Sequence, residues 1–401
     1  MINWCLPGAL AFVVVLLAGL LPGSTHAQIE EVPRPERAHA ASFGVSVALG
    51  DSIAAVGASG QALCGPNAGA VYVYERVPTP PFDSWRVTAR LTPRTCRANA
   101  FFGADIALSG ERLLVSASSE NRAREETDAA YVFERDTTGQ WRQAARFTGE
   151  PGRQEGVYAA DIDLDGDRAV VSTTGNPEGA YGGAVYVYEY RSARGAWTQT
   201  ARLTASRGVE AGVMGQSVAL DGDRLAVAAS TYFDRDPGAV YLFRQEEPNQ
   251  WQETTLIQGV DAFQIALDLY GSTLVVGEDR AGGEGSGQAT LYRDDGGGHW
   301  ERAGALHPSI PYDSGGVGAA VSVEQDWALI TGYDEQLDKE FNIDRVVYVF
   351  RRRGKRTWRQ RTILDVGQVD FGAALAQNGS MALVSSVPDG GAGTVYVVQL
   401  P

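Results

Sequence analysis

Apolar positions along this chain come in short alternating runs, broken every few residues by Gly, Asp, Asn or Pro. The stretch "FGVSVALGDSIAAVGAS", from Phe43, holds two such runs with Gly50-Asp51 between them. That is the pattern of two strands joined by a tight turn. It returns as "FFGADIALSGERLLVSAS" from Phe101, "VYAADIDLDGDRAVVSTT" from Val157 and "VMGQSVALDGDRLAVAAS" from Val213. Looser copies follow: "AFQIALDLYGSTLVVGED" from Ala262, "VGAAVSVEQDWALITGY" from Val317 and "FGAALAQNGSMALVSSV" from Phe371. With Gly44 as the marker, the aligned residues are Gly103, Ala159, Gly215, Gln264, Gly318 and Gly372. A spacing of about 50–60 residues held over seven units marks a repeat array rather than a set of separate domains.

Each unit has two further parts. A strand rich in Val and Tyr follows the hairpin, as in "GAVYVYER" at 69–76 and "GAVYVYEY" at 183–190. In six units a Trp comes next, with an apolar residue six positions later, as in Trp85/Leu91, Trp141/Phe147 and Trp197/Leu203. Four short strands per unit and seven units predict an all-β fold, a seven-bladed β-propeller of four-stranded antiparallel blades whose radial packing buries both sheet faces. The seventh unit, ending in "GTVYVVQL" at 393–400, lacks a fourth strand. Counting back eleven positions from Phe43, the distance from Phe102 to Leu91, gives Val32 in "QIEEVPRP". Residues 28–33 are therefore expected to complete the seventh blade, so that an N-terminal strand closes the ring and removes its open edge. The competing reading is an unpaired tail, which Pro33 and Pro35 favour.

The string FGxSVALxGDxLAVGA followed by GAVYVY resembles the FG-GAP repeats of the integrin α-subunit head, and more closely those of exported bacterial proteins. The resemblance spans about residues 28–401. It implies the same propeller fold and an adhesion-type role, and in integrin-like repeats the loops between the first two strands bind calcium. Units 4 to 6 have eroded the Phe-Gly pair, and no unit keeps the full Gly-Ala-Pro ending.

Composition changes this picture in three places. Residues 1–27 carry an apolar run from Ala9 to Leu21 and a small-residue cleavage site before Gln28, which predicts a signal peptide. Residues 28–401 are then a single exported propeller, periplasmic, cell-surface or secreted, with no membrane span left after cleavage. The net charge of −15 lies wholly in that mature part. It excludes nucleic acid as a partner, because affinity there depends on phosphate neutralisation. Cys64 and Cys96 remain after cleavage, and export together with their placement at one end of the ring predicts a disulfide between them.

In a four-stranded meander the loops between strands 2 and 3 share one end with the connections between blades. Those 2–3 loops are the longer and less alike, so this face is the expected contact surface. Its candidate ligand-binding residues are Tyr232, Phe233, Asp234 and Asp236 in "STYFDRDPG", with Tyr333, Asp334 and Glu335 in "GYDEQLDKEF". The candidate metal ligands lie on first strands, which border the central channel: Asp105, Asp161, Asp163, Asp165 and Asp268; the favoured competing reading is that these carboxylates accept from backbone amides of adjacent blades. "DIDLDGD" matches the DxDxDG string of calcium loops, but residues two apart on a strand lie about 6.8 Å apart, too far to chelate one ion without a bulge. Position twelve is Ser172 where an EF-hand needs Glu. No catalytic residue is singled out: neither HExxH nor GxSxG occurs, and past residue 27 only His39, His299 and His307 remain. The leading expectation is a monomeric module that binds a protein or glycan, without a cofactor. A carbohydrate-active hydrolase or lyase with channel-mouth carboxylates, and a cation-stabilised structural propeller, stand as alternatives.

Overall fold

The computed structural model describes residues 27–35, 42–79, 83–117, 128–149, 157–174, 182–206, 212–231, 237–260, 264–279, 287–309, 316–333, 345–354, 357–368, 370–388 and 391–401. The expected signal peptide lies almost wholly outside them. The described residues form twenty-eight strands and no helix, arranged as seven four-stranded antiparallel sheets. Six sheets are simple meanders of consecutive strands. The seventh joins the two ends of the chain: Gln28–Glu31 lies beside Thr394–Gln399, with Ile29 opposite Val398 and Glu31 opposite Tyr396. The Val32 N–H then donates to the Val395 carbonyl at 2.8 Å, and Val32 is buried. The ring is closed by the N-terminal strand, as the eleven-residue count predicts.

First strands touch one another in an unbroken cycle, so each blade sets its inner edge against those of its two neighbours around the axis. Seven apolar clusters fill the ring, and each is shared between adjacent blades. Phe102, Ile106 and Leu113 of the second blade pack on Ala55, Val71 and Val73 of the first. The seam is built the same way, with Val32, Leu383 and Val395 against Phe43, Val56 and Tyr72. The core therefore lies between blades, not within them, and no blade can bury its faces alone.

The Phe-Gly marker has a backbone cause. The residue after the Phe position has a left-handed φ of about +82° to +94° at Gly44, Gly103, Gly215, Gly318 and Gly372. That conformation favours glycine. In the third blade Ala159 adopts it too, at φ +55°. The left-handed residue begins a bulge: Phe43 is opposite Ala58, but the next pair is Val47 and Val56, so strand 1 carries two extra residues. The same shift occurs at Phe102/Ile106, Tyr158/Ile162, Met214/Val218 and Phe371/Leu375. Strand 1 thereby turns toward the axis, with its inner N–H groups facing the neighbouring blade.

Candidate functional site

The inner edge of each sheet leaves backbone N–H groups without a strand partner, and a buried N–H needs an acceptor. Carboxylates from the preceding blade supply it. Asp105 Oδ2 accepts from Ile162 N at 3.0 Å, and Asp161 Oδ2 accepts from Val218 N at 2.6 Å. One step along the same strand, Asp163 Oδ2 accepts from Leu220 N at 2.6 Å. At the turn, Asp165 Oδ2 accepts from Gly222 N at 2.8 Å. Each of these donors lies 57 residues after its acceptor, one blade further on. Asp268 does the same for Val323 N at 2.6 Å, and Asp221 for Gly271 N. The first blade uses a hydroxyl, Ser46 Oγ donating to the Gly103 carbonyl at 2.9 Å.

These contacts decide what the candidate metal residues do. Asp161, Asp163 and Asp165 alternate along one strand, and each reaches a different amide of the fourth blade. A bulge does precede Ile162, yet it does not gather the three carboxylates on one point. No cluster of three metal-ligating side chains occurs among the described residues. Instead, Asp105 and Asp161 are hydrogen-bonded to each other. Two carboxyl groups so joined share a proton. Burial, and then the neighbouring Asp105 charge, raise Asp161 well above the usual carboxylate range. Burial also raises Asp105, but the bond from Asp161 and the amides of Ile162 and Ile106 favour its charged form. Together the pair holds its proton above the usual carboxylate range.

Burial pushes Asp163 up to about 7 and Asp268 to about 6, each held down in part by two backbone N–H bonds. Asp268 and Asp105 both repel the Asp163 charge. Many protein atoms crowd around these four side chains, yet each keeps part of its surface exposed. The result is an acidic inner edge whose carboxylates brace adjacent blades.

At the loop face, Cys64 and Cys96 form the expected disulfide, with Cα atoms 6.1 Å apart. It ties the 2–3 loop of the first blade to the connection entering the second. Backbone bonds run alongside, from Asn99 N to the Pro66 carbonyl at 2.7 Å and from Phe101 N to the Asn67 carbonyl at 2.9 Å. Of the candidate contact residues, Tyr333 ends a strand opposite Arg345. Tyr232, Phe233, Asp234, Asp236, Asp334 and Glu335 lie outside the described residues.

A family model for the FG-GAP repeat matches the chain at residues 36–74, 85–133 and 197–243. The chain carries FG-GAP repeats in at least three blades of its seven-bladed propeller. No curated protein matches it. Among solved structures, the crystal structure of Sqt1 from Saccharomyces cerevisiae is similar at 12% identity and a TM-score of 0.48. That match covers 90% of this chain and 97% of that one. A putative 6-phosphogluconolactonase from Bacteroides uniformis is similar at 11% identity and a TM-score of 0.49, covering 79% of this chain and 83% of that one.

The FG-GAP ring has a second set of braces that sequence reasoning missed. In blades 2, 3 and 4 the turn between the first two strands reads Gly-Glu-Arg or Gly-Asp-Arg, and the arginine reaches the next blade. Arg112 binds Glu134 at 3.0 Å on its own blade and Asp167 at 2.6 Å on the next, and lies 4.8 Å from the Tyr190 ring centroid. Arg168 donates to the Gly222 carbonyl and to Gln245, and lies 5.2 Å from the Trp251 ring centroid. Arg224 binds Asp294, whose side chain is fully buried, at 2.8 Å. The signal in the sequence is the arginine recurring at one place in three units; its partners could be known only once the blades were set side by side.

Proposed function

We propose that this FG-GAP propeller is an exported interaction module that binds a protein or glycan through the face formed by the 2–3 loops and the blade connections. One observation carries the reading: the Cys64–Cys96 bridge braces a loop on that face. The repeat itself does not require that loop, since no other unit has a cysteine pair. On the opposite face, three of the short turns between first and second strands are tied to the next blade by arginines. The lumen carboxylates already accept backbone N–H groups, so their arrangement serves ring assembly in preference to acid–base chemistry. A rigid loop loses less entropy on binding, which is the physical value of bracing it. A disulfide also accords with export.

The test is capture of partners from extracellular and surface fractions by the chain from residue 28, together with a glycan array. A Tyr232→Ala/Phe233→Ala/Asp234→Ala variant serves as the control. The expected result is a partner retained by the native chain and lost by the variant at unchanged melting temperature. Absence of any bound protein or glycan, alongside turnover of a polysaccharide panel, would reject the reading in favour of a carbohydrate-active enzyme.

A further inference from the structure

On the outer rim, a cleft of about 480 Å³ opens between the fourth strand of the second blade (Trp141–Phe147) and the last two strands of the third (Ala184–Arg191 and Ala196–Leu203). Two departures from the repeat build it. Six positions after the outer Trp, the other units have Leu91, Leu203, Ile257, Leu306 and Leu364, but the second has Phe147. At the outward position opposite that Trp the others have Arg76, Arg135, Gln245, Asp294 and Arg352, but the third has Tyr190. Phe147 stacks on Tyr188 with ring centroids 3.9 Å apart and meets Trp197 edge-on at 6.0 Å. Tyr190 lies 5.8 Å from Trp197, and the Arg112 guanidinium sits over both rings, fixing them in place. Ala144, Ala145, Gly195 and Ala196 line the rest and leave the space open.

Polar groups stand around this aromatic wall. Glu134 Oε1 accepts from Arg112 Nε at 3.0 Å and from Trp197 Nε1 at 3.4 Å, while among the described residues no donor is bonded to Oε2. Exposed Arg146 and Gln199 stand at the rim. We infer that this cleft is a saccharide-binding site, separate from the loop face. Phe147 and Tyr188 are buried behind the wall, so the partly exposed Trp197 and Tyr190 rings are the ones that match the apolar C–H faces of a pyranose, and a carboxylate, a guanidinium and an amide together match vicinal hydroxyls. The volume falls within the usual range for small-ligand sites. Other ligand classes fit less well. The Glu134 carboxylate repels phosphate, Arg112 and Arg146 repel a cation, and the open polar rim does not suit a wholly apolar molecule.

The test titrates the mature chain with short gluco-, manno-, galacto- and xylo-oligosaccharides, read by saturation-transfer NMR and calorimetry. Two variants restore residues that other units carry at these positions, Tyr190→Arg and Phe147→Leu, so the fold has precedent for both. Tyr190→Arg is expected to weaken binding of the best sugar by about tenfold, the loss of one aromatic contact, and Phe147→Leu, at a buried position behind the wall, by severalfold through the loss of the ring that supports Trp197. Gln199→Ala, at an exposed position, is expected to weaken it severalfold even if the first two variants fold poorly. Tyr232→Ala/Phe233→Ala leaves this binding intact, which separates the cleft from the loop face. Failure of every sugar in the panel to bind, or undiminished binding by Tyr190→Arg and Gln199→Ala, would overturn the proposal.

Discussion

Asp163→Asn tests whether the lumen carboxylates resist ionisation in the folded ring. Burial pushes the folded pKa of Asp163 up to about 7, against an unfolded value near 3.9. The raised value means that the folded state holds a proton the unfolded chain has released. The stabilising contribution is thus full below the unfolded pKa and is lost as pH rises through the folded one. Integrated between pH 5 and pH 8, the loss for one such group is at most about 2.5 kcal/mol. The carboxylate is only half-buried, so solvent screening lowers the expected loss to about 1–2.5 kcal/mol.

Asparagine keeps the shape and cannot titrate. Its loss of one N–H acceptor, from Leu220 or Leu164, is a constant that cancels between the two pH values. Removing the charge also relieves Asp268 and Asp105, which changes the difference in the same direction. Urea denaturation of the native chain and the variant at both pH values gives the result directly. Relative to the variant, the native chain should be more stable at pH 5 than at pH 8. A native-minus-variant difference flat to within about 0.5 kcal/mol, or one that grows with pH, would show that the carboxylate is fully hydrated and the argument from burial wrong.

Two other perturbations probe how the ring is held. Cys64→Ser/Cys96→Ser opens a loop with a sequence separation of 32 residues. The loop-entropy model sets its cost at about 3–4 kcal/mol, read as a lower urea midpoint, and a shift worth under about 1 kcal/mol would contradict it. Gly393→Ala places a methyl 2.0 Å from the Phe43 carbonyl oxygen at the seam between blades 7 and 1, where both sides are backbone. It should cost more than about 3 kcal/mol or prevent folding, whereas Gly110→Ala, with open space around its turn, costs about 1 kcal/mol in thermal unfolding. Equal costs would refute the close-approach account of the seam.

Strands, turns and blade number were legible because they depend on period and local chemistry. Alternation marks a strand, and seven copies of one pattern count the blades. Val32 was legible too, since closure repeats a spacing found within other units. That Asp161 and Asp163 brace neighbouring amides was also legible, but the partners of Asp161, Asp163 and Asp165 were not, for a physical reason. Along the chain they form a chelating string, but successive side chains on the inner strand each meet a different amide 57 residues away. Only the lateral placement of blades decides which amide each carboxylate meets. The arginines at 112, 168 and 224 likewise read as solvated turn residues until the next blade puts carboxylates and aromatic rings beside them. Phe147 and Tyr190 stand out from their aligned positions in the sequence alone. That they wall one cleft with Trp197 follows from the contact between blades 2 and 3, because a pocket between repeats belongs to neither repeat.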